Sequence, residues 1–464
     1  MKIVVHGNTP FAWSSAVHLA SMGHSVTLCA DWSRCLRTPD AELAREPNLL
    51  LQLHDLVPKG LLTLSSGAGL MRAAQASGAS SATDSQALGV TGTNDASSID
   101  QHWLALGGSA DELVAYAQRL SASSLAPLVV LSPYPLGTLA RLTQAVDATV
   151  YALPIFARGG SMLSNLAKPP LLVIGCDDDA DSAMMLEVLR PMVRRADEVM
   201  VVPLAAAELI KSSVNAMLAT RMSFMNEMAT LCETLHVDID LVRQALAADP
   251  RIGSDYLDAG CGFGGPSFSD ELLDFSRSVQ ASIDQQTLIA NALRINERQR
   301  DILFRKLWRY FEGDLNGRCF AIWGAAYKPN SASVQDSAVH PLLQALWAQG
   351  ARTRVYDPLA AQSLRECYPH QPLLEIVDQP YDVLSCAAGT DAESSALGQP
   401  EANTTGADAL IVVTAWEIFQ SPDYARIRAG LRQPFILDGR NVYNPDYLRE
   451  QGFTYVGIGR GDVF

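Results

Sequence analysis

Apolar residues in the first two hundred positions follow two alternating patterns, short continuous runs and helical repeats. The run KIVVHG ends in glycine, residues 11–22 carry apolar side chains at helical spacing, and GHSVTLCAD supplies a second run. This strand–turn–helix–strand order is typical of the start of a parallel α/β sheet. Further strands are predicted at 127–132, 148–153, 170–175 and 198–203.

From about residue 205 the pattern becomes helical. Residues 205–235 form one long repeat with few breakers, and residues 272–311 are predicted to form a second long helix. Strand and helix patterns alternate again from residue 313, with apolar runs in RCFAIWG, ARTRVYDP, ADALIVVTAW and PFILDGRNVY. The predicted fold class is α/β, with two Rossmann-like parallel-sheet domains joined by a long-helix connector domain. The predicted domains are 1–204, 205–312 and 313–464.

Two segments lack the apolar residues that a packed element needs. Residues 75–96 are rich in Ser, Ala, Gly and Thr, which predicts a poorly packed loop. Residues 387–406 form a Gly- and Ala-rich insertion within the last predicted sheet.

The formal net charge of −15 limits the classes of partner that suit this chain. So acidic a surface repels nucleic-acid phosphates and anionic lipid, and neither is expected as a partner. No run of about 18 apolar residues is present, so no membrane span is expected. The opening MKIVVHGNTP has the pattern of a strand and not of a signal peptide, so a cytoplasmic location is expected.

The eight cysteines form no CxxC pair, and none stands beside a histidine at metal-ligand spacing, so no metal site is predicted. Most of them lie in apolar surroundings such as VTLCA and RCFAIWG. This pattern predicts buried free thiols in a reducing compartment.

The first strand is followed by the turn HGNTPFA, which preserves only the ends of the dinucleotide-binding pattern G-x-G-x-x-G/A, as Gly7 and Ala12. Thr9 replaces the middle glycine, and its Cβ obstructs a pyrophosphate there. Pro10 removes one amide donor at the helix start. Asp31 lies one position past the place where a ribose-binding carboxylate belongs. The turn predicts a Rossmann-like fold with lost or altered cofactor binding; an ordinary NAD site is the alternative.

Lys211 and Asn215 are four residues apart in AELIKSSVNAM, so both point from one face of a predicted helix. An ammonium and an amide on an otherwise apolar helix are costly unless they are solvated or used in a site. The spacing alone leaves both a functional pair and a solvent-facing stripe open.

A glycine-rich stretch follows in DPRIGSDYLDAGCGFGGPSF. Gly260, Gly262, Gly264 and Gly265 can turn backbone amides toward an anion, and Arg251 can supply charge to it. A purely structural turn is the alternative for the isolated pattern.

Several long motifs in one order carry a family resemblance. AELIKSSVNAM, GFGGPSF, GAAYKPNS, ADALIVVTAW and DGRNVYNPDYLREQGFTYVGIGR together resemble the UDP-glucose/GDP-mannose dehydrogenase family. The resemblance implies oxidation of a sugar C6 alcohol to a carboxylate in two NAD-linked hydride transfers. In the family a Cys thiolate holds the aldehyde, Lys and Asn stabilise the oxyanion, and Glu, Thr and Asp handle water and protons. NAD lies on the N-terminal domain and the sugar nucleotide on the C-terminal domain.

Residue by residue, the resemblance maps a binding site onto this sequence. Lys211 and Asn215 match the family's oxyanion-stabilising pair. The implied substrate-binding residues are Arg251, Tyr256, Leu257, Gly262, Phe263, Gly264, Gly265, Lys328 and Arg440. The cofactor-binding positions implied for the first turn are Gly7, Thr9, Ala12 and Asp31.

The departures from the family fall on the residues that carry chemistry. Ser267 occupies the position of the nucleophilic Cys, and a hydroxyl without a neighbouring base is a poor nucleophile. Ile155 replaces the catalytic Glu and Pro133 the water-holding Thr, while Glu271 replaces an Asp and can still accept a proton. Asp270, Gly159 and Gln335 stand where the family has Lys, a second acidic residue and Arg. The predicted catalytic set is Lys211, Asn215, Ser267 and Glu271.

These observations predict a catalytically impaired family member, a pseudoenzyme that binds a nucleotide sugar or nucleotide in a regulatory or structural role. It would partner an active dehydrogenase or polysaccharide-synthesis machinery. The alternatives are an active NAD-dependent nucleotide-sugar 6-dehydrogenase with altered chemistry, and a scaffold without a small ligand. Apolar positions on several faces of 272–311, among them Leu288, Leu293 and Leu303, predict a homodimer, as the resemblance also implies.

Overall fold

The computed structural model describes residues 1–30, 46, 48–65, 99–131, 134–157, 161–283, 285–386 and 406–460. The chain divides into two compact units, Met1–Val214 and Asn215–Phe464. The predicted loop at 75–96 lies outside the described residues, as does the predicted insertion at 387–406 except for its last residue.

The first unit is built on an eight-stranded sheet in the order β3-β2-β1-β4-β5-β6-β7-β8. Neighbouring strands run parallel except β6 and β7, which meet antiparallel at Ala152 and Gly175. The strands are β1 Lys2–His6, β2 Ser25–Cys29, β3 Leu62–Ser65, β4 Gln101–Leu104, β5 Leu128–Val130, β6 Val150–Ala152, β7 Leu171–Gly175 and β8 Glu198–Val202. Each predicted strand of this region is therefore present.

The chain reverses its direction across this sheet between β1 and β4, because β2 and β3 lie on one side of β1 and all later strands on the other. In open α/β sheets a ligand crevice forms where the order reverses, at the carboxyl ends of the strands. Here those ends carry Gly7 after β1 and Ala105 after β4.

The helices of the first unit pack Trp13, Trp103 and Tyr151 into cores with almost no exposed surface. The helix that follows β1 begins with Pro10, which suits a first helical position because the amide there has no partner within the helix. The helices are α1 Pro10–Ser21, α2 Leu49–Leu56, α3 Ala110–Ser121, α4 Thr138–Ala145, α5 Met162–Ala167, α6 Asp179–Val188 and α7 Arg190–Val193.

The second unit contains a six-stranded, fully parallel sheet in the order β11-β10-β9-β12-β13-β14. Every residue of its central strand is buried, as the continuous apolar run CFAIW predicts. The strands are β9 Cys319–Trp323, β10 Arg352–Tyr356, β11 Leu374–Ile376, β12 Ala409–Val412, β13 Phe435–Asp438 and β14 Thr454–Val456. Together the two sheets and the helices between them confirm the predicted fold class.

The long helix α8, Leu204–Leu235, begins in the first unit and continues into the second. The remaining helices of the second unit are α9 Ile239–Ala248, α10 Pro266–Ile283, α11 Leu288–Arg300, α12 Ile302–Tyr310, α13 Val339–Ala348, α14 Ala361–Cys367, α15 Tyr424–Gly430 and α16 Pro445–Glu450. Within the described ranges, no helix has the length and apolarity to cross a membrane.

The prediction of one helix over 272–311 is wrong, because three helices, α10, α11 and α12, cover this range. Thr287 starts α11, and its hydroxyl oxygen accepts a hydrogen bond of 3.1 Å from the Ala290 amide. Asp301 alone separates α11 from α12. Both breaks fall at wholly polar runs, DQQT and NERQRD, which interrupt the apolar repeat.

The prediction that all cysteines are free thiols is also wrong, because a disulfide joins Cys319 to Cys386. Cys319 begins β9, and Cys386 follows the 3₁₀ turn Asp382–Leu384, which packs beside that strand. Only the fold brings these residues together, since 67 positions separate them in the sequence. The other described cysteines are free, four of them buried and Cys367 exposed.

Candidate functional site

The turn after β1 requires glycine at its first position. Gly7 has a φ of +133°, and a Cβ on it would lie 2.2 Å from the backbone oxygen of Ala105. Ala12 is fully buried, so α1 lies close against the sheet, as the last position of the dinucleotide pattern demands. These two residues keep the shape of a cofactor-binding turn. Asp31 lies outside the described residues.

Thr9 is the N-cap of α1, and this role uses the groups that a pyrophosphate would need. Its hydroxyl donates to the Ala105 oxygen at 2.8 Å and accepts from the Ala12 amide at 3.2 Å. The Ala12 and Trp13 amides also donate to the Thr9 carbonyl, and Pro10 has no N–H. The start of α1 therefore does not fit a pyrophosphate bound in the usual way, on amides at a helix N-terminus.

A buried histidine pair, which the sequence interpretation missed, lies at the same end of this sheet. His6 Nδ1 lies 2.9 Å from the Tyr116 hydroxyl, and His6 Nε2 lies 3.0 Å from His102 Nδ1. Burial lowers the pKa of His6 to about 3, with the neighbouring His102 as a second cause, and lowers the pKa of His102 to about 4. Both rings are therefore neutral at pH 7. The sequence signal for this buried pair is the histidine that lies within the apolar run KIVVHG.

Lys211 belongs to the first unit and is half-buried on α8. Its Nζ lies 5.4 Å from the centre of the Phe156 ring, a distance suited to a cation–π contact. The lysine lines a small, largely apolar cavity together with Val130, Ala152 and Pro154. It is therefore not part of a fully solvated stripe.

Glu208 precedes Lys211 by one helical turn and holds the start of α4. Its two carboxylate oxygens accept from the amides of Gly137 at 2.9 Å and Leu139 at 2.8 Å. Burial raises the pKa of Glu208, while the backbone hydrogen bonds act in the opposite direction. Glu208 fixes the chain that follows β5.

Ile155, which stands at the position of the family's catalytic Glu, packs into the apolar core of the first unit. An aliphatic side chain there can neither orient water nor carry a proton. Pro133 and Gly159, two further departures from the family, lie outside the described residues.

Asn215 and Glu271 come together in the second unit although 56 positions separate them. Asn215 is buried on α8, and its Nδ2 donates to Glu271 Oε2 at 2.6 Å. Glu271 lies near the start of α10. Ser267 is the second residue of this helix, and its side chain lies outside the described part of the structure. Two of the four predicted catalytic residues are thus in direct contact.

Residues 260–265, the glycine-rich loop, are buried along their whole length. Four of their backbone amides donate to acceptors of the protein and not to an anion position. They are Gly260 to Asn226 Oδ1, Cys261 to the Gly439 oxygen, Phe263 to Asn296 Oδ1 and Gly265 to the Gln335 oxygen. The loop is therefore held from several sides at once.

Arg440 contacts this loop directly. Its NH1 donates to the Gly262 oxygen at 3.0 Å, and its Nε donates to the Val413 oxygen at 2.8 Å. Tyr327 packs against the far end of the loop, where a Cβ on Gly265 would lie 2.5 Å from the ring. Lys328 Nζ lies 5.6 Å from the centre of that ring. The structure thus brings Arg440 into contact with the glycine-rich loop, and it places Lys328 beside the Tyr327 ring that packs on the loop.

The remaining predicted substrate-binding residues differ in burial, backbone conformation and contacts. Leu257 is buried, Tyr256 has a φ of +61°, and Phe263 packs edge-on against Phe268 with ring centres 5.5 Å apart. The Arg251 side chain is 86% exposed and is paired with Asp249 at 2.6 Å. Arg251 is therefore held within its own turn.

No group of three metal-ligating side chains occurs among the residues that the structure describes. Three buried amide side chains that contact the glycine-rich loop, Asn226, Asn296 and Gln299, were also missed. The sequence carries one signal for them. Each is a polar residue at a helical position where the periodicity predicts a packed face.

Two family models match parts of this chain. The model described as "UDP-glucose/GDP-mannose dehydrogenase family, central domain" matches residues 205–298, and the model of the family's UDP binding domain matches residues 321–445. The chain is 36% identical over 369 residues to UDP-glucose 6-dehydrogenase of Pseudomonas aeruginosa, which covers 76% of this chain and 78% of the relative. The chain belongs to the UDP-glucose/GDP-mannose dehydrogenase family. The resemblance seen in the motifs is thereby confirmed.

Further relatives and solved structures agree with this family. UDP-glucose 6-dehydrogenase of Rhizobium meliloti is 31% identical over 344 residues, covering 72% of this chain and 74% of the relative. The UDP-glucose dehydrogenase structure from Pyrobaculum islandicum has a TM-score of 0.77 at 26% identity, covering 99% of this chain and 97% of that chain. A UDP-D-ManNAc dehydrogenase from Pyrococcus horikoshii, at 19% identity, matches the fold with a TM-score of 0.76 over both complete chains.

Proposed function

We propose that this member of the dehydrogenase family is a pseudoenzyme that binds a nucleotide sugar or related nucleotide and does not oxidise it. The observation that carries the proposal is the division between the two units. In the first unit, Thr9 and Pro10 stand in the turn that would hold a cofactor phosphate, whereas the second unit keeps the glycine-rich loop and its basic neighbour Arg440.

On the cofactor side, the proposal is supported by the start of α1. Family members use NAD, so NAD is the cofactor that the first unit would take. Thr9 occupies the position where glycine admits a pyrophosphate, and its hydroxyl already bonds Ala105 and Ala12. Pro10 removes a further donor. We infer that NAD binding is lost or altered.

On the chemical side, the proposal is supported by two substitutions and one contact. Ser267 replaces the thiol that would form the covalent intermediate, and Ile155 replaces the acid/base Glu. General acid–base groups contribute about 10²–10⁴-fold to a rate, so the loss of one together with the covalent path leaves little oxidation. Glu271 contacts Asn215 Nδ2 directly, which engages the predicted oxyanion donor with a carboxylate.

On the ligand side, the proposal is supported by Arg440, Lys328 and the glycine-rich loop. Arg440 and Lys328 lie within residues 321–445, which match the family's UDP binding domain, and Arg440 bonds the glycine-rich loop. A diphosphate attracts guanidinium and ammonium groups, because charge-assisted hydrogen bonds to phosphate are stronger than neutral ones. We therefore assign the retained function to this unit.

A regulatory or structural role is proposed for the bound state, with an active dehydrogenase or polysaccharide-synthesis machinery as partner. A homodimer is part of this proposal. Leu303, one of the apolar residues that predicted it, lies instead in the core of its own unit. An exposed apolar stripe is found on α8, where Met217, Phe224 and Leu231 recur every seven residues and are 61%, 45% and 48% exposed.

The proposal is tested with the full chain, NAD and a panel of UDP- and GDP-sugars. Thermal unfolding reports binding, because a ligand at 100 times its Kd stabilises the fold by about 2.7 kcal/mol. Absorbance of NADH reports oxidation. Stabilisation by a nucleotide sugar without NADH formation supports the proposal.

An active dehydrogenase with altered chemistry is the second candidate, and the retained Lys211 and Asn215 favour it. A lysine ammonium and an amide can polarise a C6 oxygen for a single hydride transfer even when Ser267 replaces the thiol. Sustained NADH formation would establish this candidate in place of the pseudoenzyme. A melting curve unchanged by every nucleotide would instead indicate a scaffold without a small ligand.

A further inference from the structure

We infer that Asn226, Asn296 and Gln299, here called the loop-binding amides, are positioning residues that fix the glycine-rich loop in its ligand-binding shape. The inference concerns the ligand site of the second unit, and its binding part rests on the proposed function. All three side chains are buried, and none of them titrates.

Asn296 binds both backbone groups of one loop residue. The Phe263 amide donates to Asn296 Oδ1 at 2.8 Å, and Asn296 Nδ2 donates to the Phe263 oxygen at 3.0 Å. An amide side chain that pairs with both backbone groups of a residue in this way replaces the partner strand that a loop lacks. The Phe263 backbone is thereby fixed in position and orientation.

Gly260, at the start of the loop, is bound by the other two amides. Its N–H donates to Asn226 Oδ1 at 2.9 Å, and its carbonyl accepts from Gln299 Nε2 at 2.8 Å. Asn226 lies on α8 and Gln299 on α11, so the start of the loop is tied to two helices at once. Residues 260 and 263 therefore have all four of their backbone polar groups paired with side-chain amides.

Residues 335–336 pack closely against the end of the loop. A Cβ on Gly264 would lie 2.1 Å from the Asp336 oxygen, and the Gly265 amide donates to the Gln335 oxygen at 3.2 Å. Arg440 binds the Gly262 oxygen between these two regions. The loop thus lies between the helices that carry the loop-binding amides and the chain that follows Lys328.

This arrangement determines which loop conformation a ligand meets. A flexible, glycine-rich segment loses conformational entropy when a ligand orders it, and that loss weakens binding. A loop that side chains already hold does not incur this loss. Removal of one loop-binding amide leaves a buried peptide group without its partner, so the loop is expected to leave this conformation.

The test uses the full-length chain and the variants Asn296→Leu and Gln299→Met, which remove the amides and keep most of the side-chain volume. Ser223→Ala is the matched control, because the Ser223 hydroxyl is buried between the same helices, α8 and α11, and bonds the Ala292 oxygen at 2.8 Å. Hydrogen exchange of the loop amides is measured without ligand. Affinity for UDP-glucose is measured by calorimetric titration.

We expect loop exchange to accelerate about tenfold or more in both amide variants and to stay at the wild-type rate in the control. Affinity for UDP-glucose should fall about tenfold or more in the same two variants. Gln299→Met removes one hydrogen bond only, so it provides the test should Asn296→Leu fail to fold.

Wild-type exchange rates in a folded amide variant would overturn the inference. So would faster exchange with unchanged affinity, because the loop shape would then not matter for binding. If the wild-type chain binds neither UDP-glucose nor other UDP- and GDP-sugars, the proposed function fails and the binding role fails with it. The exchange measurement still decides, independently, whether the amides hold the loop.

Discussion

At the residue scale, the proposed function depends on two segments, the turn after β1 and the glycine-rich loop. Thr9 uses its hydroxyl to cap α1 and to bond Ala105, and both bonds lie where a pyrophosphate would approach. Gly7, two positions earlier, still has the backbone conformation that only glycine adopts easily. The Thr9 side chain and the missing N–H of Pro10 therefore distinguish this turn from the glycine-rich pattern of a dinucleotide-binding one.

Replacement of Thr9 by glycine should strengthen NAD binding. Thr9→Gly removes the obstructing Cβ, and glycine at an N-cap costs only a few tenths of a kcal/mol relative to threonine. Thr9→Ala is the control, since it also removes the cap, at about 1 kcal/mol, but keeps the Cβ. We expect Thr9→Gly to bind NAD about tenfold more tightly than the control by calorimetric titration. Equal affinities would contradict the role assigned to the Thr9 side chain.

The buried histidines should make the first unit sensitive to acid. The folded chain holds His6 and His102 neutral, with pKa values of about 3 and about 4, whereas both take up protons near pH 6.5 when unfolded. Their contribution to stability is therefore fully present above pH 6.5 and is lost as the pH falls toward 4. His18, with a pKa lowered by burial to about 4, adds to the same loss.

The double variant His6→Leu and His102→Leu should therefore lose less stability between pH 7 and pH 4.5 than the wild type, in denaturant titrations followed by circular dichroism. The double variant should still show the loss of stability that His18 causes. His54→Asn, at an exposed position, is the control and should leave the pH dependence unchanged. A double variant as acid-sensitive as the wild type would show that the histidine pair is not the cause.

At the element scale, most strands could be predicted from the sequence, because short apolar runs such as KIVVHG and CFAIWG are continuous and end in glycine. The helix breaks at Thr287 and Asp301 were missed, although the polar runs DQQT and NERQRD interrupt the apolar repeat there. The family motifs located the glycine-rich loop. The amides that hold the loop, such as Asn296, escaped prediction because their partners are backbone groups more than thirty positions away.

The disulfide between Cys319 and Cys386 should stabilise the second unit. It closes a loop across 67 positions, for which the loss of chain entropy in the unfolded state predicts about 4 kcal/mol. Cys386→Ala should lower the free energy of unfolding by up to that amount in denaturant titrations. Cys367→Ala, at an exposed free thiol, is the control and should have little effect. Labelling of both Cys319 and Cys386 by a thiol reagent in unreduced, denatured protein would contradict the pairing.

At the scale of the whole molecule, the long helix α8 carries features of both units, because Lys211 belongs to the first and Asn215 to the second. The same helix presents the exposed stripe Met217, Phe224 and Leu231. Apolar side chains in such a regular row are more favourable in contact with a second helix than in water. The stripe is therefore the surface on which the proposed homodimer depends.

Replacement of Phe224 by glutamate should separate the proposed dimer into monomers. A charge in the middle of an apolar contact must lose its hydration when the contact forms, and this opposes association. Leu125→Glu is the control, because Leu125 is 73% exposed in the first unit and lies outside the stripe. Sedimentation velocity should give the monomer mass for Phe224→Glu and the dimer mass for the control. A dimer that persists in Phe224→Glu would exclude this surface.

The most direct test of the division between binding and catalysis is one paired measurement on the wild-type chain. Purified protein is incubated with NAD and each nucleotide sugar, and thermal stabilisation and NADH absorbance are recorded in the same samples. The proposed function predicts that at least one nucleotide sugar raises the unfolding temperature, while NADH does not form. Turnover that produces NADH in proportion to enzyme concentration would contradict it.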